Sequence, residues 1–441
     1  MSDELEKSSV PVAREKIHRQ IQADDRSLSK KLGPGLITGA ADDDPSGIAT
    51  YSQGGAQFGL QMLWTLLITW PLMVGIQSVS ARIGRVTGDG LAGNLRRWYG
   101  SWLLFTMVCL LLIANTINIA ADLAAMADAL MLVGGGSHTA WVILFGTVSV
   151  LLQVLIPYVR YVRVLKWLTL TLFAYVGTVF TVHIEWSEVL SSLILPRLQL
   201  TPAYLTTLVA ILGTTISPYL FFWQASQEVE ELKADPNARS LRQAHEQARA
   251  HLRRIATDNW IGMGLSNLIA FFIMLTTAST LFTHGITDIQ SSRDAALALR
   301  PIAGEFAFLL FALGIIGTGL LAIPVLAGSA AYAVAGAFNW RTGLDLPLGL
   351  GWRFYGIIAV SMIIGAGIGI SEIDPIHALY WAAVINGIVS VPIMIVMMRM
   401  ASRHDIMGPF VVTHRLKWLG WAATAVMAVA VVLMLALNLW K

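Results

Sequence analysis

The chain has a single cysteine and little charge. Of its 441 residues 13% are charged, while 56% are hydrophobic. The lone thiol, Cys109, excludes a disulfide within one chain and any metal site built on several thiolates. Sparse charge, with a mean hydropathy of +0.65, excludes an ordinary soluble protein. Also missing are a glycine-rich phosphate loop, a nucleophile elbow and a metalloprotease helix, which argues against an enzyme or an ATP-driven pump. The histidines are scattered, without the i, i+3 or i, i+4 pair of a zinc helix. A net charge of +3 calls for no nucleic acid. No cofactor and no obligatory protein partner is implied; the partner that composition does imply is the lipid bilayer.

What is present is a series of apolar runs of about twenty residues, the length that crosses a bilayer. Eleven are expected, at 33–58, 60–83, 101–132, 140–157, 162–184, 203–232, 258–283, 304–336, 353–371, 376–400 and 417–440. The residues before them, 1–32, are polar with no signal pattern and read as a cytosolic tail of a multi-pass protein of the cytoplasmic (inner) membrane. With that orientation, the tail and the loops on its side hold all basic residues but Arg197, Arg293, Arg300 and Lys441, which fits the positive-inside rule and checks the count. Arg160, Arg163, Lys166 and the run from Arg239 to Arg254 read as lipid headgroup contacts.

Two spans are interrupted. In the first, Ala41-Asp42-Asp43-Asp44-Pro45-Ser46-Gly47 sets three acids and a proline among apolar residues. A charged side chain at membrane depth costs roughly 2.5 kcal/mol or more, so such residues usually face a polar cavity with a task. Proline leaves carbonyls just upstream without helical donors. Asp44 before Pro45 reads as an N-cap followed by a first-turn proline, the start of a second half-helix. The free carbonyls and the carboxylate are hard oxygen ligands of the kind that Mg2+, Ca2+ or Mn2+ takes. In the sixth span Ser217-Pro218 repeats the arrangement. Breaks at matching places in two halves predict an all-α membrane transporter of two inverted five-helix repeats, with broken helices 1 and 6 around a midplane site. The repeats are expected at about 33–184 and 203–400 within a core of 33–400, followed by a loop and an eleventh helix over 401–441.

The residues also carry a resemblance. Leu32-Gly33-Pro34-Gly35, Asp44-Pro45-Ser46-Gly47-Ile48-Ala49-Thr50, Gln53-Gly54-Gly55-Ala56-Gln57-Phe58-Gly59 and Leu63-Trp64 resemble the first-helix signature of the Nramp (natural resistance-associated macrophage protein) divalent-metal transporters. Against the family's Asp-Pro-Gly-Asn, the aspartate is Asp44 and the asparagine position is Gly47. Against its Met-Pro-His in helix six stand Ser217, Pro218 and Tyr219, with Thr214 at the position that lends a backbone carbonyl. Ala121-Asp122-Leu123-Ala124-Ala125 resembles its Asp-Leu-Ala-Glu, with Ala125 in place of the glutamate. Loss of the soft thioether removes a preference for Mn2+, Fe2+ or Cd2+. What remains suits a water-keeping hard ion, as in the similar magnesium-transporting branch.

The resemblance implies a transported divalent cation, Mg2+ or Mn2+, bound by Asp44, carbonyls near Ala41 and Thr214, and the Ser217 hydroxyl. Asp43, Gly47, Tyr219, Gln224, Asp122 and Asn386 are expected in a second shell or vestibule. Asp42 and Asp43 read either as an electrostatic lure or as caps, and Gln224, Glu228 and Glu231 share one helical face that lines the inner vestibule or pairs with the basic loop. Asn115, Asn118 and Asn386 serve the cavity or hydrogen bonds between helices. Tyr219 and Ala125 replace the proton-route residues, which favours a facilitated pathway. The membrane potential alone supplies about 4.6 kcal/mol per 100 mV to a dication. The alternative is a proton-coupled Mn2+/Fe2+ symporter.

Overall fold

Four helices begin with the same two-residue device, a residue in extended or near-extended backbone followed by proline in the first turn: Asp44-Pro45, Thr201-Pro202, Ser217-Pro218 and Asp374-Pro375. Proline is tolerated there because the first-turn N–H groups have no helical acceptor. Asp44, Thr201 and Asp374 also cap with their side chains, but Ser217 does not. Two of the four pairs start a helix after a loop. The other two, Asp44-Pro45 and Ser217-Pro218, interrupt an apolar run and create the breaks.

The computed structural model of the chain describes residues 34–156, 168–371 and 374–439, and among these there is no β-strand. In order, the helices are α1 (Pro34–Asp42), α2 (Pro45–Phe58), α3 (Leu63–Thr87), α4 (Leu91–Trp98), α5 (Ser101–Gly134), α6 (His138–Leu155), α7 (Phe173–Val179), α8 (Trp186–Ile194) and α9 (Pro202–Thr215). Then follow α10 (Pro218–Ala234), α11 (Ala248–Thr280), α12 (Ser292–Leu297), α13 (Arg300–Ala303), α14 (Ala307–Ala337), α15 (Leu348–Gly369), α16 (Pro375–Ala401), α17 (His404–Met407) and α18 (His414–Leu439).

Among the described residues nine stretches are long and apolar enough to span a membrane. One of them, Pro45–Thr87, holds both the second half of span one and all of span two, joined by a single tight turn over Gly59–Met62. The start of the fifth span lies outside the described residues, as do Arg160, Arg163, Lys166 and the tail 1–32. The seventh span begins earlier than the hydropathy indicated: α11 starts at Ala248, so Arg249, Arg253 and Arg254 sit on a helix.

The broken pairs sit inside the bundle. Helices α1 and α2 pack on α11, α9 packs on α16, and α10 lies against α3 and α14, while α5 packs on α14, α15 and α16. The first half-helix is seated without side chains on one face. A Cβ on Gly39 would strike the backbone of Gly262, and one on Gly35 would strike Asn259, so α1 meets α11 backbone to backbone.

The described loops assigned to one side by their basic residues meet at one end of the bundle. Arg82 donates to the Phe410 and Val411 carbonyls, Arg85 pairs with His251, Arg96 donates to Asn339, Lys233 to Thr342 and Arg242 to the Ile406 carbonyl. At the other end Gln53 holds the segment 287–289, and Gln61 accepts from Gln199. The described helices therefore alternate in the sense that the charge pattern required.

The α1–α11 seat generates a prediction. Gly39→Val should overpack it and cost about 1–3 kcal/mol, read as a lowered melting temperature of the purified protein. Gly367→Ala, where a Cβ meets open space, should leave stability unchanged or slightly raised.

Candidate metal site between two broken helices

Proline at i removes the N–H that would bond the carbonyl of i−4. Counting back from Pro45 and Pro218 gives Ala41 and Thr214, the last turns of α1 and α9. The two prolines thus orphan the two carbonyls expected as ligands. That arithmetic was available in the sequence and is the clearest local reason for the site.

Asp44 stands at the junction. Its Oδ1 accepts from the Gly47 N–H and the Ser46 hydroxyl, each at 2.7 Å, and its Oδ2 accepts from the Tyr219 hydroxyl at 3.2 Å. The Tyr219 hydroxyl also lies 3.3 Å from the Ala41 carbonyl, so one phenol from α10 touches two of the expected ligands. Ser46 and Thr214 bring their hydroxyl oxygens to 3.4 Å, which joins the two breaks directly. A Cβ placed on Gly47 would lie 3.4 Å from both the Asp42 carbonyl and the Thr214 hydroxyl, so that position also borders the junction. Asp44, Thr214, Ser217 and Tyr219 are each 1% exposed or less, and Ala41 is 3% exposed.

Ser217 departs from the sequence reading. Its hydroxyl does not cap α10 but turns back to donate to the carbonyls of Gly213 (2.7 Å) and Thr214 (2.9 Å). The oxygen's lone pairs and the second lone pair of the Thr214 carbonyl are left for another partner.

The remaining expected residues fall around this centre in different ways. Asp42 and Asp43 do not cap α2, whose cap is Asp44. The Ser266 hydroxyl of α11 approaches Asp42 Oδ2 at 2.7 Å and Asp43 Oδ1 at 2.9 Å, and Asp42 is fully buried. Asp122 on α5 is fully buried, and both its oxygens lack hydrogen-bond partners among the described residues. One turn earlier, Asn118 donates to Asn386 at 2.9 Å, so Asn386 ties α16 to α5. Asn115 donates to the Leu326 carbonyl and to Ser329 on α14. Gln224 accepts from Thr38 and so joins α10 to α1 below the site.

Of the two readings offered for Glu228 and Glu231, the structure bears out pairing with the basic segment, although Glu228 is buried and not solvated. Both acids pair at 2.6 Å with Arg254, which also bonds Asp258 at 3.2 Å. Arg254 is therefore an internal counter-ion, not a headgroup contact. It was misread because α11 was expected to begin after it.

Sequence reasoning missed Ser266 and Thr38. The signal for Ser266 was present: Asn259, Gly262 and Ser266 recur at helical spacing and face α1 as Gly35 and Gly39 do.

The chemistry of the set is clear. None of the ion pairs among the described residues includes Asp42, Asp43, Asp44 or Asp122. Nor do three His, Cys, Asp or Glu side chains converge as a cage among them. A buried junction lined by the Asp44 carboxylate, by carbonyls without helical donors and by hydroxyls suits a hard cation that keeps part of its water.

The sequence profile described as natural resistance-associated macrophage protein-like matches residues 35–437. The chain belongs to the Nramp family. Nramp proteins are membrane transporters of metal ions, not enzymes. Among its relatives, the "Divalent metal cation transporter MntH" of Deinococcus radiodurans is 26% identical over 94% of this chain and 91% of that protein. The protein of the same name from Caldanaerobacter subterraneus subsp. tengcongensis is 25% identical over 82% of each. In fold, this Nramp chain is similar to the Eremococcus coleocola manganese transporter, with a TM-score of 0.73 at 18% identity over 92% of this chain and 85% of that one. A weaker likeness, TM-score 0.52 at 17% identity over 92% and 91%, is to Mhp1, a nucleobase-cation-symport-1 transporter.

Asp44 is both cap and candidate ligand, and the two roles separate by substitution. Asn caps a helix nearly as well as Asp. Asp44→Asn should therefore keep the fold by melting temperature while abolishing Mn2+ and Mg2+ binding in calorimetry. Tyr219→Phe, which deletes a hydroxyl donated to a charged group, should weaken binding about tenfold in the same titration.

Proposed function

We propose that the chain carries a divalent cation, Mg2+ or Mn2+, across the membrane by alternating access, with Asp44 as the main ligand. The carbonyls of Ala41 and Thr214 and the hydroxyl of Ser217 complete the inner shell with retained waters. The observation that carries this reading is the meeting of two severed helices around a buried carboxylate that, among the described residues, no ion pair neutralises. A dication supplies the missing charge, and the orphan carbonyls supply oxygen that a helix would otherwise consume.

Selectivity follows from the ligand types. Without a thioether, and with Gly47 and Ser217 at the two variable positions, the site offers oxygen only, which favours a hard ion over Fe2+ or Cd2+. Tyrosine at 219 is a poor proton relay at neutral pH, and uptake of a dication is already favoured by the membrane potential. Entry and exit require movement of the half-helices, because the site is sealed. Thr38–Gln224 and the glycine seat of α1 close one side, and Gln53 holds segment 287–289 on the other.

A second reading is a proton-coupled Mn2+/Fe2+ symporter; relatives named as divalent metal cation and manganese transporters favour its substrate class, though not its proton coupling. Liposomes loaded with Mg2+-, Mn2+- and pH-sensitive dyes distinguish the two. The expected result is saturable entry of both ions without matched acidification, lost in Asp44→Asn. Mn2+ entry with stoichiometric acidification and no Mg2+ entry would establish the second reading instead. In the same assay Ser217→Met, which restores a soft ligand, should shift preference toward Mn2+ and Cd2+ by about tenfold or more.

A further inference from the structure

One cavity lies away from the helix breaks. It is a groove of about 730 Å3 on the outer face, between α5, the end of α14 and α15. Its walls include Leu112 on α5 and Ile357, Val360 and Ile364 on α15, and no acidic side chain lines it. Val360 and Ile364 are 55% and 48% exposed, on a helix apolar enough to lie in the membrane.

One end of the groove differs from the rest. There Arg353 places its guanidinium 5.2 Å from the Trp340 ring and 5.1 Å from the Trp352 ring. Trp340 is itself stacked on Phe338 at 5.1 Å, which fixes the platform. Among the described residues no ion pair engages Arg353. This end lies beside Asn339 and Thr342, the partners of Arg96 and Lys233, so it belongs to the basic end of the bundle.

The dimensions fit one kind of occupant. From Arg353 to Ile364 the helix rises about 16 Å, close to half of a hydrocarbon core of about 30 Å. The groove is therefore one leaflet deep, apolar along its length, and cationic at the depth of the headgroups. Tryptophans belong at that interface, and a basic pocket between transmembrane helices is a headgroup site.

We propose that this groove binds one anionic phospholipid, with an acyl chain along Ile357, Val360 and Ile364 and its phosphate on Arg353. The lipid ties α15 to α5, the helix that carries Asp122 and Asn118, and its binding is independent of the cation site.

The full chain, reconstituted in nanodiscs of phosphatidylglycerol or of phosphatidylcholine, provides the test. Native mass spectrometry after release should show one phosphatidylglycerol retained at least fivefold more than phosphatidylcholine, and the melting temperature should be higher in phosphatidylglycerol. Arg353→Glu should abolish that preference. Gly356→Leu should lower retention of either lipid by filling the groove; a Cβ at Gly356 meets nothing within 4 Å, so the variant should fold. Equal retention of the two lipids by the wild type, or retention of phosphatidylglycerol unchanged in either variant, would overturn the proposal. So would millimolar inorganic phosphate reproducing the whole thermal shift in phosphatidylcholine, since the ligand would then be a free anion.

Discussion

A buried carboxylate in a bilayer protein must be compensated, and the molecule is arranged around how Asp44 is. Removing a charge from water is costly unless donors or an opposite charge replace the lost solvation. Here the Gly47 amide and the Ser46 and Tyr219 hydroxyls supply donors, and among the described residues no ion pair supplies charge. Each donor depends on a break in a helix: Gly47 and Ser46 are in the first turn after Pro45, and Tyr219 is the residue after Pro218. The breaks in turn depend on surrounding helices packed closely enough to hold half-helices in place, as the glycine face of α1 on α11 allows.

Charge is kept apart by depth. Around the junction four acids have no cationic partner among the described residues, whereas at the basic end Arg254 gathers Glu228, Glu231 and Asp258, and Arg85 pairs with His251. The first group suits a mobile cation, because no described cationic side chain pairs with it. The second holds α10, α11 and α3 together where the loops converge. Both groups contain buried acids, and only their counter-ions tell them apart.

Much of this was legible in the sequence, for identifiable reasons. Asp44-Pro45 and Ser217-Pro218 announced the breaks because capping residue and proline act locally, and the distribution of arginine and lysine announced which loops share an end. What the chain order hid was long-range pairing. The Ser266 contact with Asp42 and Asp43 spans more than two hundred residues, and no local rule points from one to the other. The role of Arg254 was hidden by a boundary, since a polar first turn of α11 reads as loop until its partners Glu228 and Glu231 are seen. Ser217 was misread as a cap because its sequence context matches that of Asp44. Only the direction of its hydroxyl, toward Gly213 and Thr214, separates the two.

That last difference bears on how such a protein changes over generations. Asp44 holds a helix start and the charge at once, so most replacements there damage architecture together with chemistry. Position 217 has no such double duty: α10 begins at Pro218 without help from the serine side chain. A new side chain at 217 forfeits only two hydrogen bonds to carbonyls, and those carbonyls then become available to whatever enters. Diversification of which metal is accepted is therefore cheapest at positions such as 217 that carry no cap, while Asp44 stays fixed.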